Sequence, residues 1–303
     1  MTNRNKRLRY RLRAIIASGL LYLFAGLPLW LGHAMGSLLG RLSNRFSNEV
    51  RYAARINIRL CLPQLTTSQQ WRLVRDYLIE TGKTLFETSA LWLWSGPRIL
   101  RLVRGVSGED LVIEARSAGK GVIFAMPHLG AWEMVALYCS SRYPMTTLYR
   151  PPHLQAMDTV IRQGRERFGA TLMPTDNRGV KALLSALSKG ETIGILPDQE
   201  PGKGQGVFAP FFGIQSYSMS LLSRLVQKTD AVVVFTYAQR LPWGRGYHLH
   251  FLPAPEGINS PQLETSVAAV NAGVEQCIRA CPEQYQWGYR RFKTRPEGES
   301  GFY

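Results

Sequence analysis

Beyond about residue 108, short apolar runs at 122–126, 146–149, 192–196, 231–237 and 247–252 alternate with longer amphipathic stretches. Apolar runs of that length read as buried strands, and the stretches between them as covering helices. The alternation predicts an α/β fold with a mixed sheet flanked by helices. Upstream, residues 66–94 bring Trp71, Val74, Leu78, Thr81, Leu85 and Trp92 to helical spacing, which predicts one or two helices. Residues 262–279 predict a long helix that stops at Cys281-Pro282. The chain carries no internal repeat, low-complexity tract or linker. We therefore expect a helical region over residues 1–60 and one catalytic unit over 61–303.

The first 48 residues contain no acidic side chain. Arg4, Lys6, Arg7, Arg9, Arg11 and Arg13 precede an uncharged run over residues 14–39, and Arg41, Arg45, Arg51, Arg55 and Arg59 follow it. The run is interrupted by Pro28, His33 and glycines 19, 26, 32 and 36, and it lacks a convincing cleavage site for a signal peptide. Basic flanks on both sides give no inside–outside asymmetry. A hydrophobic membrane-associating helix lying in the interface lets both flanks meet anionic lipid, and a single span is the alternative. The whole chain repeats the charge signal, with 37 basic against 21 acidic residues and a net charge of +16. An excess of that size implies acidic partners such as lipid headgroups, an acidic carrier protein or nucleic acid. The four cysteines, Cys61, Cys139, Cys277 and Cys281, form no CxxC pair and read as core packing.

Chemistry concentrates where the run 122–126 ends. Pro127 closes that strand, and His128-Leu129-Gly130-Ala131-Trp132-Glu133 follows. Ligands gather at the carboxyl ends of strands in open α/β sheets, so a histidine there is well placed. In one helix His128 and Glu133 point about 140° apart. With His128 in a turn and Glu133 in the first turn of the next helix, the two can meet. Neutral imidazole suits proton removal from an alcohol at pH 7, and a carboxylate on its other nitrogen sets the tautomer. A capping or core histidine beside a glutamate favoured by a helix N-terminus is the non-catalytic alternative.

With these neighbours included, the sequence resembles the bacterial lipid A biosynthesis acyltransferases, the late lauroyl- and myristoyl-transferring group of the lysophospholipid acyltransferase superfamily. The resemblance covers nearly the whole chain. It rests on the basic hydrophobic start, His128 and Glu133, Tyr149-Arg150-Pro151, Arg165-Glu166-Arg167-Phe168-Gly169, and the stretch from Arg178 to Leu184. Leu196-Pro197-Asp198-Gln199, Pro210-Phe211-Phe212-Gly213 and the ending from Gln284 to Pro296 complete the set. It departs from many members at Ile214-Gln215-Ser216-Tyr217-Ser218, where a Pro-Ala-x-Thr-like stretch is common, and at Tyr289, where some have histidine.

The resemblance implies late acylation in lipopolysaccharide biosynthesis. An acyl carrier protein thioester is the implied donor, and a hydroxyl of a lipid A precursor the acceptor. The implied setting is the cytoplasmic face of the inner membrane, with no metal or organic cofactor. Arg150 follows a predicted strand and is a candidate for an acceptor phosphate or for the oxyanion of the tetrahedral intermediate. Arg165, Arg167 and Arg178 are candidates for acceptor phosphates or carrier protein, with a solvated helix face as the alternative. Asp198 and Gln199 close another apolar run and are candidates for positioning the acceptor sugar or Arg150. His153 lies near the expected cleft. His248 and His250 share one face of a strand and read as structural. Trp92, Trp94, Trp132 and Trp243 read as core or interface. The glycines at 202, 204 and 206 around Lys203 lack a phosphate-loop pattern and predict a mobile loop. An acyltransferase for another glycolipid or a lysophospholipid shares the same chemistry. A basic protein that binds membrane or nucleic acid without catalysis leaves the strand-end histidine unexplained, and the sequence contains no recognisable nucleic-acid module.

Overall fold

The computed structural model describes residues 3–152 and 154–303, with side chains from Ala14 onward. The basic residues from Arg4 to Arg13 have side chains outside that description, as does His153 entirely. Five helices come first: α1 (Asn3–Ala25), α2 (Leu29–Ser43), α3 (Glu49–Cys61), α4 (Thr67–Leu93) and the short α5 (Gly96–Leu100). The α/β portion then runs β1 (Val103–Ser107), α6 (Asp110–Ser117), β2 (Val122–Ala125), α7 (Trp132–Arg142), β3 (Met145–Tyr149), α8 (Asp158–Glu166), β4 (Thr171–Pro174), α9 (Asn177–Ser188) and β5 (Thr192–Ile195). A hairpin of β6 (Gly206–Phe211) and β7 (Ile214–Met219) precedes α10 (Leu221–Lys228), β8 (Val232–Arg240), β9 (Tyr247–Pro253) and α11 (Leu263–Ala280).

The seven-stranded sheet has the order β1-β9-β8-β2-β5-β3-β4. It is mixed because β8 and β9 pair antiparallel while the other neighbours pair parallel. Strand β2 lies at its centre, and its side chains alternate between two cores. Ile123 and Ala125 join the side built with α9, α10 and α11, while Val122 and Phe124 join the side built with α6 and α7. A strand buried on both faces shows no polar alternation, which is why residues 122–126 read as one continuous apolar run.

The uncharged N-terminal run is not one helix. A turn at Gly26 and Leu27 breaks it before Pro28, which stands at the N-cap of α2. No helix among the described residues is long and apolar enough to cross a membrane. Helices α1 and α2 instead lie against α4, a 27-residue helix opened by a capping box between Thr66 and Gln69. Glycines make the α2–α4 contact close: a Cβ on Gly82 would collide with the Gly36 carbonyl, and one on Gly40 with the backbone of Ile79. Side chains there would force the helices apart. The four cysteines are buried and unbridged.

Five strands foreseen from apolar runs correspond to β2, β3, β5, β8 and β9, and the helix over 262–279 to α11. Four strands lie outside those expectations. Short edge strands β1 and β4 carry exposed positions and no long apolar run. The β6–β7 hairpin turns on Phe212 and Gly213, with φ of 50° and 78°. A phenylalanine is an unusual residue for the first of two left-handed turn positions, so the turn carries little sequence signal.

Candidate active site

The loop between β2 and α7 is pinned on two sides. Gly130 N–H donates to the Gln284 carbonyl at 3.0 Å, Ala131 N–H to the Ala238 carbonyl at 2.9 Å, and Gln286 N–H to the His128 carbonyl at 3.1 Å. Gly130 has φ of 58°, and a Cβ there would strike the Ala238 carbonyl. Glycine is what permits the turn. It leaves His128 at the carboxyl edge of the sheet, with the side chain 17% exposed.

The imidazole is held by Asp198. Ala125 pairs with Ile195 in the β2–β5 register, and three residues beyond each lie His128 and Asp198. His128 backbone N–H donates to Asp198 Oδ2 at 2.9 Å, and Nδ1 lies 2.9 Å from Oδ1. Burial pushes the Asp198 carboxyl up, but the His128 ring and the backbone donors outweigh it and hold it below the usual carboxylate range. An ionised carboxylate only accepts, so Nδ1 is the N–H of the neutral ring and Nε2 keeps its lone pair. Nε2 has one weak neighbour, Gln199 Nε2 at 3.4 Å, and that amide is itself bonded to Gln286 Oε1 at 2.9 Å. A lone pair so lightly engaged is available as a base.

This geometry corrects the expected hydrogen bond between His128 and Glu133. Glu133 is in the first turn of α7 as expected, but Arg165 from α8 grips its carboxylate through Nε at 3.0 Å and through Nη2. Trp92 Nε1 donates to the same group at 3.1 Å. The Gly130 turn directs the two side chains to different partners, and Trp132 stands beside the His128 ring with centroids 5.4 Å apart. Asp198 thus takes the place beside the imidazole that the spacing suggested for Glu133, instead of holding a sugar or Arg150.

The remaining candidates fall into two groups. Gln199 joins the site directly, at His128, while Arg165 stands one step away on Glu133, which shares Trp92 as a partner. Arg150 is exposed just beyond β3, which is two strands from β2, so it stands about 10 Å along the same sheet edge. Arg178 is further out, after β4, and its guanidinium is paired with Asp176 at 2.9 Å where Asp176 caps α9. Arg167 turns away to the Trp92 carbonyl at 2.7 Å. His248 and His250 stack on each other, bonded to Ser107 and Gln239. No metal-holding group of His, Cys, Asp or Glu occurs among the described residues.

A cavity of about 1130 Å³ opens beside the loop. Tyr77, Thr81, Leu85, Thr88 and Trp92 line it along one face of α4, a stretch of about 22 Å at 1.5 Å per residue. Leu20, Leu21 and Phe24 of α1 and Leu39 of α2 face them, and Trp132, Gln199 and Gln286 bring the cavity to the residues touching His128. An apolar groove of that length has room for a long hydrocarbon chain, with the His128 ring just behind its polar end. The tail residues Gln284 and Gln286 of this wall are not among the candidates of the sequence, whereas Tyr289, singled out there as a departure from the family pattern, lines it too. Asp198 itself had a readable signal: residues 122–128 and 192–198 share one pattern, an apolar run, a proline and then a polar side chain.

Known proteins resemble this chain along nearly its whole length. Residues 1–294 match the family model described as bacterial lipid A biosynthesis acyltransferase. The chain is 31% identical to a lipid A biosynthesis lauroyltransferase of Escherichia coli K12 over 281 residues, covering 92% of this chain and 91% of that one. It is also 31% identical to the palmitoleoyltransferase of the same strain, covering 94% and 92%. The myristoyltransferase of that strain is 26% identical, covering 86% and 80%.

Proposed function

We propose, from the premise that the chain belongs to the bacterial lipid A biosynthesis acyltransferase family, that His128 is the general base of a late acylation step and takes a proton from the acceptor hydroxyl. The chain is an acyltransferase of lipid A biosynthesis; the donor, the residue roles and the setting are our assignment. The acyl donor is a thioester of acyl carrier protein, and the acceptor a hydroxyl of a lipid A precursor. As the hydroxyl oxygen attacks the thioester carbonyl, Nε2 takes its proton. Asp198 stabilises the imidazolium across Nδ1 and keeps the ring in its working tautomer. Collapse of the tetrahedral intermediate expels the thiolate, which recovers the proton from His128.

The observation that carries this reading is the buried Asp198 carboxylate on Nδ1, with Nε2 left lightly engaged beside an apolar cavity. Glu133 serves by holding Arg165 as part of the site wall. Arg150, exposed and without an ion-paired carboxylate among the described residues, receives an acceptor phosphate. Gln199 braces the imidazole side of the acceptor site, and Arg178 is a peripheral cation for the same phosphorylated acceptor. The groove along α4 holds the acyl chain.

Residues 1–60 form the membrane-associating part and 61–303 the catalytic part, at the cytoplasmic face of the inner membrane. Support comes from exposed Ile15, Tyr22 and Leu23 on α1, Leu38 and Leu42 on α2, and Phe46 beyond it. An apolar surface of that extent, set among arginines, suits the interface of an anionic bilayer. The test is transfer of a labelled acyl chain from acyl carrier protein to lipid A precursor by the purified chain in detergent. His128→Ala should lower turnover about 10²- to 10⁴-fold. Near-normal turnover in that variant would remove His128 from the mechanism, and a panel of other glycolipid acceptors under the same donor checks the acceptor.

A further inference from the structure

The β8–β9 connection, residues 241–246, presents Trp243 to solvent at 88% exposure. Its backbone sits at φ 61° and ψ 23°, in the left-handed region, which is strained for a non-glycine residue. Glycine or asparagine is the stabilising choice at such a position, and the connection already uses glycine at 244 and 246, both with positive φ. An indole kept there in spite of the strain points to a role outside folding.

The turn is not free-standing. Gly244 lies so close to α2 that a Cβ on it would collide with the backbone of Trp30, and the Trp30 side chain is itself 59% exposed. Residues 98–104 complete the cluster. Tyr247 N–H donates to the Leu102 carbonyl at 2.8 Å, and Arg104 Nε to the Arg245 carbonyl at 2.8 Å. Trp94 Nε1 donates to the Ala25 carbonyl at the end of α1, and Arg98 stacks over Trp94 at 3.4 Å. Arg98, Arg101, Arg104 and Arg245 are all exposed. Among the described residues, none of the four lies within ion-pair distance of a carboxylate.

We infer that Trp30 and Trp243, ringed by these four arginines, form a second bilayer contact that docks on an anionic phospholipid surface. Tryptophan favours the headgroup level, where its ring is half immersed and its N–H is wet, and guanidinium groups there meet lipid phosphates. Trp94, on which Arg98 stacks, ties the cluster to the end of α1, where Tyr22 and Leu23 are also exposed. Contact at α1 alone leaves the protein free to roll about that helix. A further contact on a turn from the far side of the sequence fixes the roll, and with it the direction in which the groove beside α4 opens. The inference rests on the membrane-surface reading above in its choice of ligand and is independent of the acyl-transfer chemistry.

The experiment is flotation of the full chain, diluted from detergent, with vesicles of phosphatidylglycerol and phosphatidylethanolamine against vesicles of phosphatidylcholine. Trp243→Gly removes the indole and relieves the backbone, so the melting temperature should hold or rise while partitioning onto anionic vesicles falls about tenfold. Arg104→Glu with Arg245→Glu should lower the preference for anionic over phosphatidylcholine vesicles at least about tenfold, the rest being left to the arginines around α1 and α2. Partitioning of the glycine variant within about twofold of the unaltered chain would overturn the proposal. So would a change in its oligomeric state with unchanged partitioning, which would make the cluster a contact between copies. Acyl transfer by the unaltered chain in micelles, with no vesicle present, reports separately on the reaction.

Discussion

Two clusters of charge sit on the sheet and α4, and they are built to opposite ends. In one, Arg240 bonds Glu87 twice, Glu80 at 2.8 Å and Thr84 at 3.0 Å, while Tyr247 at 3.0 Å and His33 at 3.1 Å also meet Glu87. Every member is buried or nearly so, and Glu87 and Arg240 have every strong donor or acceptor turned inward. In the other, Asp198 is equally buried, but the histidine it holds is partly exposed beside residues that line the cavity, with one nitrogen almost unoccupied. Both contain a histidine against a carboxylate. What sets the His128 cluster apart is the partial exposure of its ring beside the cavity residues, whereas His33 is buried, and ion-pair geometry alone does not distinguish the two.

That contrast can be broken at either end. The largest expected effect is on the chemical side: Asp198→Asn presents a neutral amide to Nδ1 and leaves the tautomer and the imidazolium unsupported. Turnover should fall about 10³- to 10⁴-fold, with the melting temperature nearly unchanged; a loss under tenfold would show that Asp198 does not govern the ring. On the structural side, Arg240→Met strips the buried Glu87 carboxylate of its guanidinium, leaving it only Tyr247 and His33. Denaturant unfolding should report a loss of about 3–5 kcal/mol, against which a loss under 1 kcal/mol would count. Any fall in turnover in the surviving folded fraction should be small beside that of the Asp198 variant.

Acid sharpens the same comparison with a smaller effect. Burial pushes the Glu87 carboxyl up, but Arg240 and the bonds from Arg240 and His33 override it and hold it below the ordinary value near 4.5. A depressed folded value means that the stabilisation is complete above the unfolded value and is lost as pH falls through the folded one. Stability should thus be lost from about pH 4.5 downward, by on the order of 2 kcal/mol from this group. Glu87→Gln should flatten that part of the curve in unfolding measured between pH 3 and 6, and an unaltered slope would exclude Glu87 as its source.

The sequence made the sheet legible wherever a strand was buried on both faces, because an apolar run such as 122–126 has no other plain explanation. It made His128 legible for the same reason, as the polar residue at the end of that run. The partner of His128 was not legible from spacing. Five residues separate it from Glu133 and seventy from Asp198, yet the Gly130 turn and the β2–β5 register decide the matter, and both are properties of the folded backbone. Arg240 and Glu87 illustrate the limit further: each reads as an ordinary charge on its own element, and only the packing of α4 on the sheet buries them together. The N-terminal run was legible as apolar and basic-flanked, while its division into α1 and α2 depended on how Pro28 and the glycines meet α4.

The backbone N–H of Gln286 bonds the His128 carbonyl, and Gln284 bonds both Gly130 and Arg240. These braces come from near the far end of a chain whose first helices carry the apolar surface. During synthesis, the apolar first helices emerge first and the His128 loop is left unbraced until residue 286 has cleared the ribosome. The order of translation therefore sets an order of events, with the apolar surface made before the His128 loop is braced, so that a prematurely terminated copy would carry the first without the second.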